Sequence, residues 1–167
     1  MMTTVAGADT ALDVAAVRRD FPLLARTAHG HPLVYLDSAA TGQKPLRVIE
    51  AIDHYYRADN APIHRSTYEL AERSTNAFEG ARERVAAYMN ATPETTIFTR
   101  NATEAINLVS NAWGRQNVGP GDKILLTLFE HHSNIVPWQM LCQQTGAELD
   151  YVEITDEGLL DEADLDA

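Results

Sequence analysis

The chain has 167 residues, 45% of them hydrophobic, which is enough to bury one core and excludes a wholly disordered segment. Its formal charge of −11 gathers at one end: residues 150–167 hold eight acids and no Lys or Arg, and the rest sets 16 acids against 13 bases, which excludes a nucleic-acid footprint or an anionic membrane surface. The single cysteine, Cys142, excludes an internal disulfide, and with no basic leader or membrane-length apolar run near Met1 the expectation is a cytoplasmic protein.

Residues 1–8 read as a loose tail and 11–19 as a short helix stopped by Asp20-Phe21-Pro22, since a residue before proline resists the α conformation. Residues 1–30 are therefore expected to form an arm and helix, separate from a body over 31–167. A short strand is predicted over 31–36, followed by the small-residue turn Asp37-Ser38-Ala39-Ala40-Thr41-Gly42. Pro45 suits a first helical turn, and Val48, Ile49, Ile52, Tyr55 and Tyr56 then share one face. The polar loop 60–66 has no helical period. A second helix over 68–89 is expected to bury Leu70, Ser74, Ala77, Phe78, Ala81, Val85 and Tyr88 and to keep Glu72, Arg73, Glu79 and Arg82 wet.

From Thr96 the pattern alternates: a strand over 96–99, a helix over 103–113 with Ile106, Val109 and Trp113 inward, and a buried strand over 123–128. A helix over 133–145, a stop at Gly146 and a strand over 147–154 complete it. The βαβαβ order predicts an α/β fold with a parallel sheet.

Two polar motifs stand where a strand hands over to a helix, the place where open α/β sheets bind ligands. In Arg100-Asn101-Ala102-Thr103-Glu104-Ala105-Ile106-Asn107, free N–H groups at the helix start and the Thr103 hydroxyl would suit a phosphate; an ordinary cap through Asn101 or Thr103 is the alternative. In Glu130-His131-His132-Ser133-Asn134-Ile135-Val136-Pro137-Trp138, adjacent histidines at a strand end would point to opposite faces, so they cannot share one metal. One imidazole can face a pocket as an aromatic plate or acid/base group, or both are surface residues. Arg65, beside His64, is either a fork for a carboxylate or phosphate or a solvated charge. Cys142 falls on the apolar side of its helix, as a core residue would.

In order and spacing, Asp20-Phe21-Pro22-Leu23-Leu24, Tyr35-Leu36-Asp37-Ser38-Ala39-Ala40, Gln43-Lys44-Pro45, Ile63-His64-Arg65, Trp113-Gly114, Gly121-Asp122 and the two polar motifs resemble the N-terminal part of a SufS-type (group II) cysteine desulfurase, in the class V aminotransferase superfamily. The resemblance implies the N-terminal portion of the pyridoxal-phosphate-dependent transferase type I fold, aspartate aminotransferase-like, with an incomplete parallel-rich sheet and flanking helices, 31–167 being part of the large cofactor domain. It implies pyridoxal 5'-phosphate as cofactor, L-cysteine as substrate, alanine and a persulfide as products, a homodimer, and a sulfur-acceptor protein of the SUF iron–sulfur system as partner. By the same resemblance Ala102, Thr103 and Glu104 hold the cofactor phosphate, His131 stacks on the ring and assists proton transfer, Ser38, Ala39 and Ala40 line the substrate side, and His64 and Arg65 lie near the site. Some members have Gly-Thr-Thr-Glu where this chain has Asn101-Ala102-Thr103-Glu104, and a second histidine where Tyr68 stands.

The family's Schiff-base lysine and sulfur-accepting cysteine correspond to positions beyond Ala167, and neither Lys44 nor Lys123 matches that lysine. The 167 residues alone are therefore expected to be inactive. A related class V transaminase or selenocysteine lyase is the enzymatic alternative. A truncated, non-catalytic chain that binds or regulates a desulfurase partner is the other.

Overall fold

The structure, a computed structural model, describes residues 12–165 and divides into two compact units, Met1–Asn90 and Ala91–Ala167. The tail expected over 1–8 lies outside the described residues.

In the first unit, helix α1 (Val14–Arg19) opens on Asp13, whose carboxylate accepts from the Ala16 N–H at 2.9 Å, and closes with Arg18 and Arg19 against its negative dipole end. The predicted strand over 31–36 is confined to His31–Pro32. These residues form strand β2, paired antiparallel with β1 (Thr27–Ala28) through a turn at His29 and Gly30, both at positive φ. Beyond Pro32 no strand partner is present among the described residues, and Val34 and Leu36 stand exposed. Helix α2 (Leu46–His54) begins after Pro45, as the proline suggests, and runs into a π-helical turn, Tyr55–Asp59. Its predicted face is well formed but largely uncovered, with Ile49, Ile52 and Tyr56 exposed.

Helix α3 (Glu69–Tyr88) confirms the second long period, but its buried residues are Ala71, Ser74 and Ala86. Leu70, Val85 and Tyr88 are exposed: the small side chains permit the closest approach, and the larger stripe beside them is left outside.

In the second unit the strand predicted over 96–99 is absent; the segment is extended, but it has no ladder partner among the described residues. Helix α4 (Ala102–Val109) continues through a π-helical turn (Ser110–Gly114) into α5 (Arg115–Asn117). The widened turn shifts the inward face to Ile106, Ser110 and Gly114, so Val109 and Trp113, expected inward, are exposed.

Strand β3 (Lys123–Thr127) crosses through α6 (Val136–Thr145) to β4 (Glu148–Val152), with parallel pairing from Lys123 opposite Glu148 to Thr127 opposite Val152. Gly146 stops α6 in the left-handed region at φ 79°, as expected. Strand β3 is buried on one face only: Leu126 is covered and Leu125 is not. A short helix, α7 (Glu162–Leu165), follows. The core gathers Leu126, Leu141, Cys142 and Val152, with Ser110 tied to α6 through a hydroxyl donated to the Pro137 carbonyl at 3.2 Å.

Candidate active site

Both polar motifs lie in the second unit, and α4 sits beside the 3₁₀ turn His132–Asn134 that follows His131. The Asn101 side chain caps α4, its Oδ1 accepting from the Glu104 N–H at 2.9 Å. The Glu104 carboxylate folds back to accept from the Arg100 N–H at 2.6 Å and from the Arg100 guanidinium. Those two interactions, the backbone bond first, hold its carboxyl pKa below the usual carboxylate range.

The cap consumes one amide of the first turn and leaves others. Ala102 and Thr103 are exposed, have no helical acceptor for their N–H groups, and the Thr103 hydroxyl has no partner among the described residues. Two backbone donors, a hydroxyl and the positive dipole end together fit a phosphate dianion. Glu104 has both its N–H and its carboxylate already committed.

The chain leaves β3 at Thr127 and turns through Leu128 and Phe129, so the histidines are not strand residues as expected. Their rings meet edge to face, with centroids 5.9 Å apart, because the turn removes the strand alternation that would separate them. His131 Nδ1 accepts from the Ser133 N–H at 3.2 Å, with the Ser133 hydroxyl 2.9 Å away. A backbone N–H can only donate, so Nδ1 carries the lone pair and the neutral ring bears its proton on Nε2.

Four side chains without an individual role in the sequence-based site hold this turn. Thr127 Oγ1 donates to Glu130 Oε1 at 3.0 Å, Asn134 Nδ2 donates to Glu130 Oε2 at 2.7 Å, and Trp138 Nε1 donates to Asn134 Oδ1 at 2.9 Å. Asn134 first and Thr127 second hold the Glu130 carboxyl below its usual range. The regular spacing of Glu130, Asn134 and Trp138, four residues apart, was a visible signal for one shared face.

The other predicted residues belong to the first unit. Ser38, Ala39 and Ala40 form an exposed turn that the Tyr35 hydroxyl closes, donating to the Thr41 carbonyl at 2.6 Å. His64 adopts a left-handed φ of 60°, its N–H donates to Thr75 Oγ1 at 3.0 Å, and its Nε2 lies 2.6 Å from Glu79 Oε1. Arg65 is exposed and has no partner among the described residues.

Neither lysine is free at the ligand edge of β3. Lys123 begins the strand and pairs with Asp150 at 2.8 Å, while Lys44 donates to the Gly42 carbonyl within its own loop. Cys142 is buried, its thiol pushed up by burial, and its Sγ faces the Glu148 carbonyl at 3.5 Å, which is core packing and not an activated thiolate.

The Aminotransferase class-V family profile matches residues 34–167. A Synechocystis protein named probable cysteine desulfurase is 51% identical over 148 residues, covering 88% of this chain and 35% of that protein. Among solved structures, the apo cysteine desulfurase of Thermococcus onnurineus is 37% identical with a TM-score of 0.80, covering 90% of this chain and 36% of that one. The cysteine desulfurase CsdA of Escherichia coli is 39% identical with a TM-score of 0.76, covering 93% and 38%. The chain thus spans little more than a third of the length of these relatives. With the profile match, the shared mixed α/β architecture and the open α4 terminus beside the His131 turn, the chain belongs to the class V aminotransferase family and folds as a partial, N-terminal portion of its pyridoxal-phosphate-dependent type I fold.

Proposed function

We propose that this chain is the N-terminal segment of a pyridoxal-phosphate-dependent cysteine desulfurase of the SufS type, which converts L-cysteine to alanine and hands the sulfur on as a persulfide. The observation that carries this reading is the uncommitted donor set of Ala102 and Thr103 beside an ordered His131, in a chain 51% identical to a protein named probable cysteine desulfurase. The SufS type is supported by the run from Glu130 to Trp138 with Gln139-Met140-Leu141 after it. Residues 31–167 would then belong to the cofactor domain and 1–30 to an arm.

Pyridoxal phosphate, when bound, supplies the electron sink that weakens the cysteine C–S bond. The chain's own residues have narrower tasks. Ala102 and Thr103 would hold the phosphate through backbone N–H groups and the Thr103 hydroxyl, while Glu104 braces Arg100 and Asn101 caps the helix. His131 would present its ring face and an Nε2–H donor, because Ser133 occupies Nδ1. Ser38, Ala39, Ala40, His64 and Arg65 would lie toward the substrate.

The lysine that holds the cofactor covalently and the cysteine that takes the sulfur are residues other than Lys44, Lys123 and Cys142, so the 167 residues alone would be inactive. A homodimer, a SUF sulfur-acceptor protein and action in the reducing cytoplasm complete the proposal. Of these, the reducing compartment is supported by the lone buried cysteine.

The test is alanine and sulfide release from L-cysteine by the natively expressed protein loaded with pyridoxal phosphate. Equal amounts of alanine and transferred sulfur are expected. No alanine from cysteine, with turnover of L-selenocysteine or of an amino-group acceptor instead, would replace the desulfurase reading with a neighbouring class V activity.

A further inference from the structure

The chain of donors and acceptors around Glu130 has a direction, and that direction is set at Trp138. An indole N–H is a donor only. Trp138 Nε1 therefore fixes Oδ1 of Asn134 toward itself, at 2.9 Å, and turns the Asn134 amide nitrogen toward Glu130 Oε2, at 2.7 Å. Thr127 delivers a second donor to Glu130 Oε1 at 3.0 Å. The Asn134 nitrogen can only donate, so Glu130 must accept there, whereas the Thr127 hydroxyl donates to a carboxylate but could equally accept from an amide.

We propose that Glu130 is a positioning residue for His131, acting as the acceptor end of a polarity relay that runs from Trp138 through Asn134. The inference rests on the reading of His131 as a site residue, but the relay is a separate property of the chain. Its elements flank the turn on both sides: Thr127 ends β3, Glu130 precedes His131, Asn134 closes the 3₁₀ turn and Trp138 lies in the first turns of α6. The turn's own backbone bonds, Asn134 N–H to the His131 carbonyl at 2.7 Å and Ile135 N–H to the His132 carbonyl at 3.1 Å, fall inside the relay. Strand end, histidine turn and helix start are thus braced by one side-chain chain.

The relay makes a prediction that plain packing does not. In Asn134→Asp the indole still holds one oxygen of the new carboxylate, and the other is set against Glu130 Oε2, acceptor against acceptor. Glu130→Gln lifts that conflict: its amide nitrogen donates to the new carboxylate and its oxygen accepts from the Thr127 hydroxyl. Glu130→Gln alone keeps the direction of the relay, because its oxygen accepts from Asn134 while its nitrogen donates to Thr127 Oγ1. The damage done by Asn134→Asp should therefore be repaired by Glu130→Gln.

The experiment is hydrogen–deuterium exchange, followed by mass spectrometry, of the peptide spanning residues 131–135 in the natively expressed protein. Wild type, Asn134→Asp, Glu130→Gln and the double variant are compared. At least tenfold faster exchange is expected for Asn134→Asp, with Glu130→Gln and the double variant within about threefold of wild type. Unchanged exchange in Asn134→Asp, or a double variant as fast as or faster than Asn134→Asp, overturns the relay. If Asn134→Asp does not fold, recovery of a folded double variant supports the relay and its failure overturns it. Because exchange does not depend on turnover, an intact relay in a protein that fails to desulfurate cysteine would separate this inference from the functional one.

Discussion

The Ser133 N–H donates to His131 Nδ1 at 3.2 Å, which fixes the proton of the neutral imidazole on Nε2. The hydroxyl of the same serine lies 2.9 Å from that nitrogen, yet the backbone donor is the one no side-chain substitution short of proline removes. Ser133→Ala should therefore leave His131 in the Nε2–H form, and Ser133→Pro should not. ¹⁵N shifts of the histidine rings would show this, with a Nδ1–H signal for His131 in Ser133→Ala as the contrary result. If His131 takes part in proton transfer, His131→Ala should cost about 10²-fold or more in turnover, the usual scale of acid/base assistance.

Asn101 separates the structural and ligand roles of the α4 terminus. Its side chain caps the Glu104 N–H, so Asn101→Ala should cost about 1 kcal/mol of stability. Asp is as good a cap, and Asn101→Asp should keep that stability. It also sets a negative charge beside the amides of Ala102 and Thr103, where a phosphate would sit, so phosphate and pyridoxal phosphate should bind more weakly. Parallel loss of stability and binding in both variants would show that the terminus only caps.

Much of this was legible from the residues, for reasons that differ by element. The α2 start after Pro45, the α6 stop at Gly146 and the long period of α3 are written in local chemistry, and each is present. Strands are not local. The segments 33–36 and 96–99 have strand-like composition, but a ladder needs a partner, and none is present among the described residues. The π-helical turn at Ser110–Gly114 was invisible as well; it breaks the 3.6-residue period on which the inward placement of Val109 and Trp113 depended.

In the site, the phosphate-suited amides and the histidine were readable as residue types. What the spacing could not supply was hydrogen-bond direction. That Asn134 faces Glu130 with its nitrogen follows only once Trp138 is seen on its other side.

Glu130 gives the turn a pH dependence with a definite sign. Its carboxyl is held below the ordinary value, so the stabilisation is fully present above the unfolded value of about 4.3 and is lost as pH falls through the lower folded value. Between pH 7 and pH 5 the fluorescence of Trp138 and the protection of the turn should be flat. Both should change only below about pH 4 in wild type, and in Glu130→Gln this acid limb should be absent. A transition of the turn near neutrality would contradict the assignment.

A side chain at Gly114 would press on Leu141. A methyl group at Gly114 would lie 2.6 Å from Leu141 Cδ2, and Leu141 is only 2% exposed. Two effects oppose each other in Gly114→Ala. Alanine gains about 0.5–1 kcal/mol from its helical preference, and overpacking costs about 1–3 kcal/mol. The buried leucine has little room to turn aside, so the packing term should win, with a net loss of about 1 kcal/mol. Leu141→Ala alone should cost about 2–5 kcal/mol through the cavity it leaves. In the double variant the added methyl occupies part of that cavity, so the two losses should fall short of their sum by about 1 kcal/mol, measurable from denaturant midpoints. Strict additivity would mean that the π-helical turn moves away from α6 and does not press the two residues together.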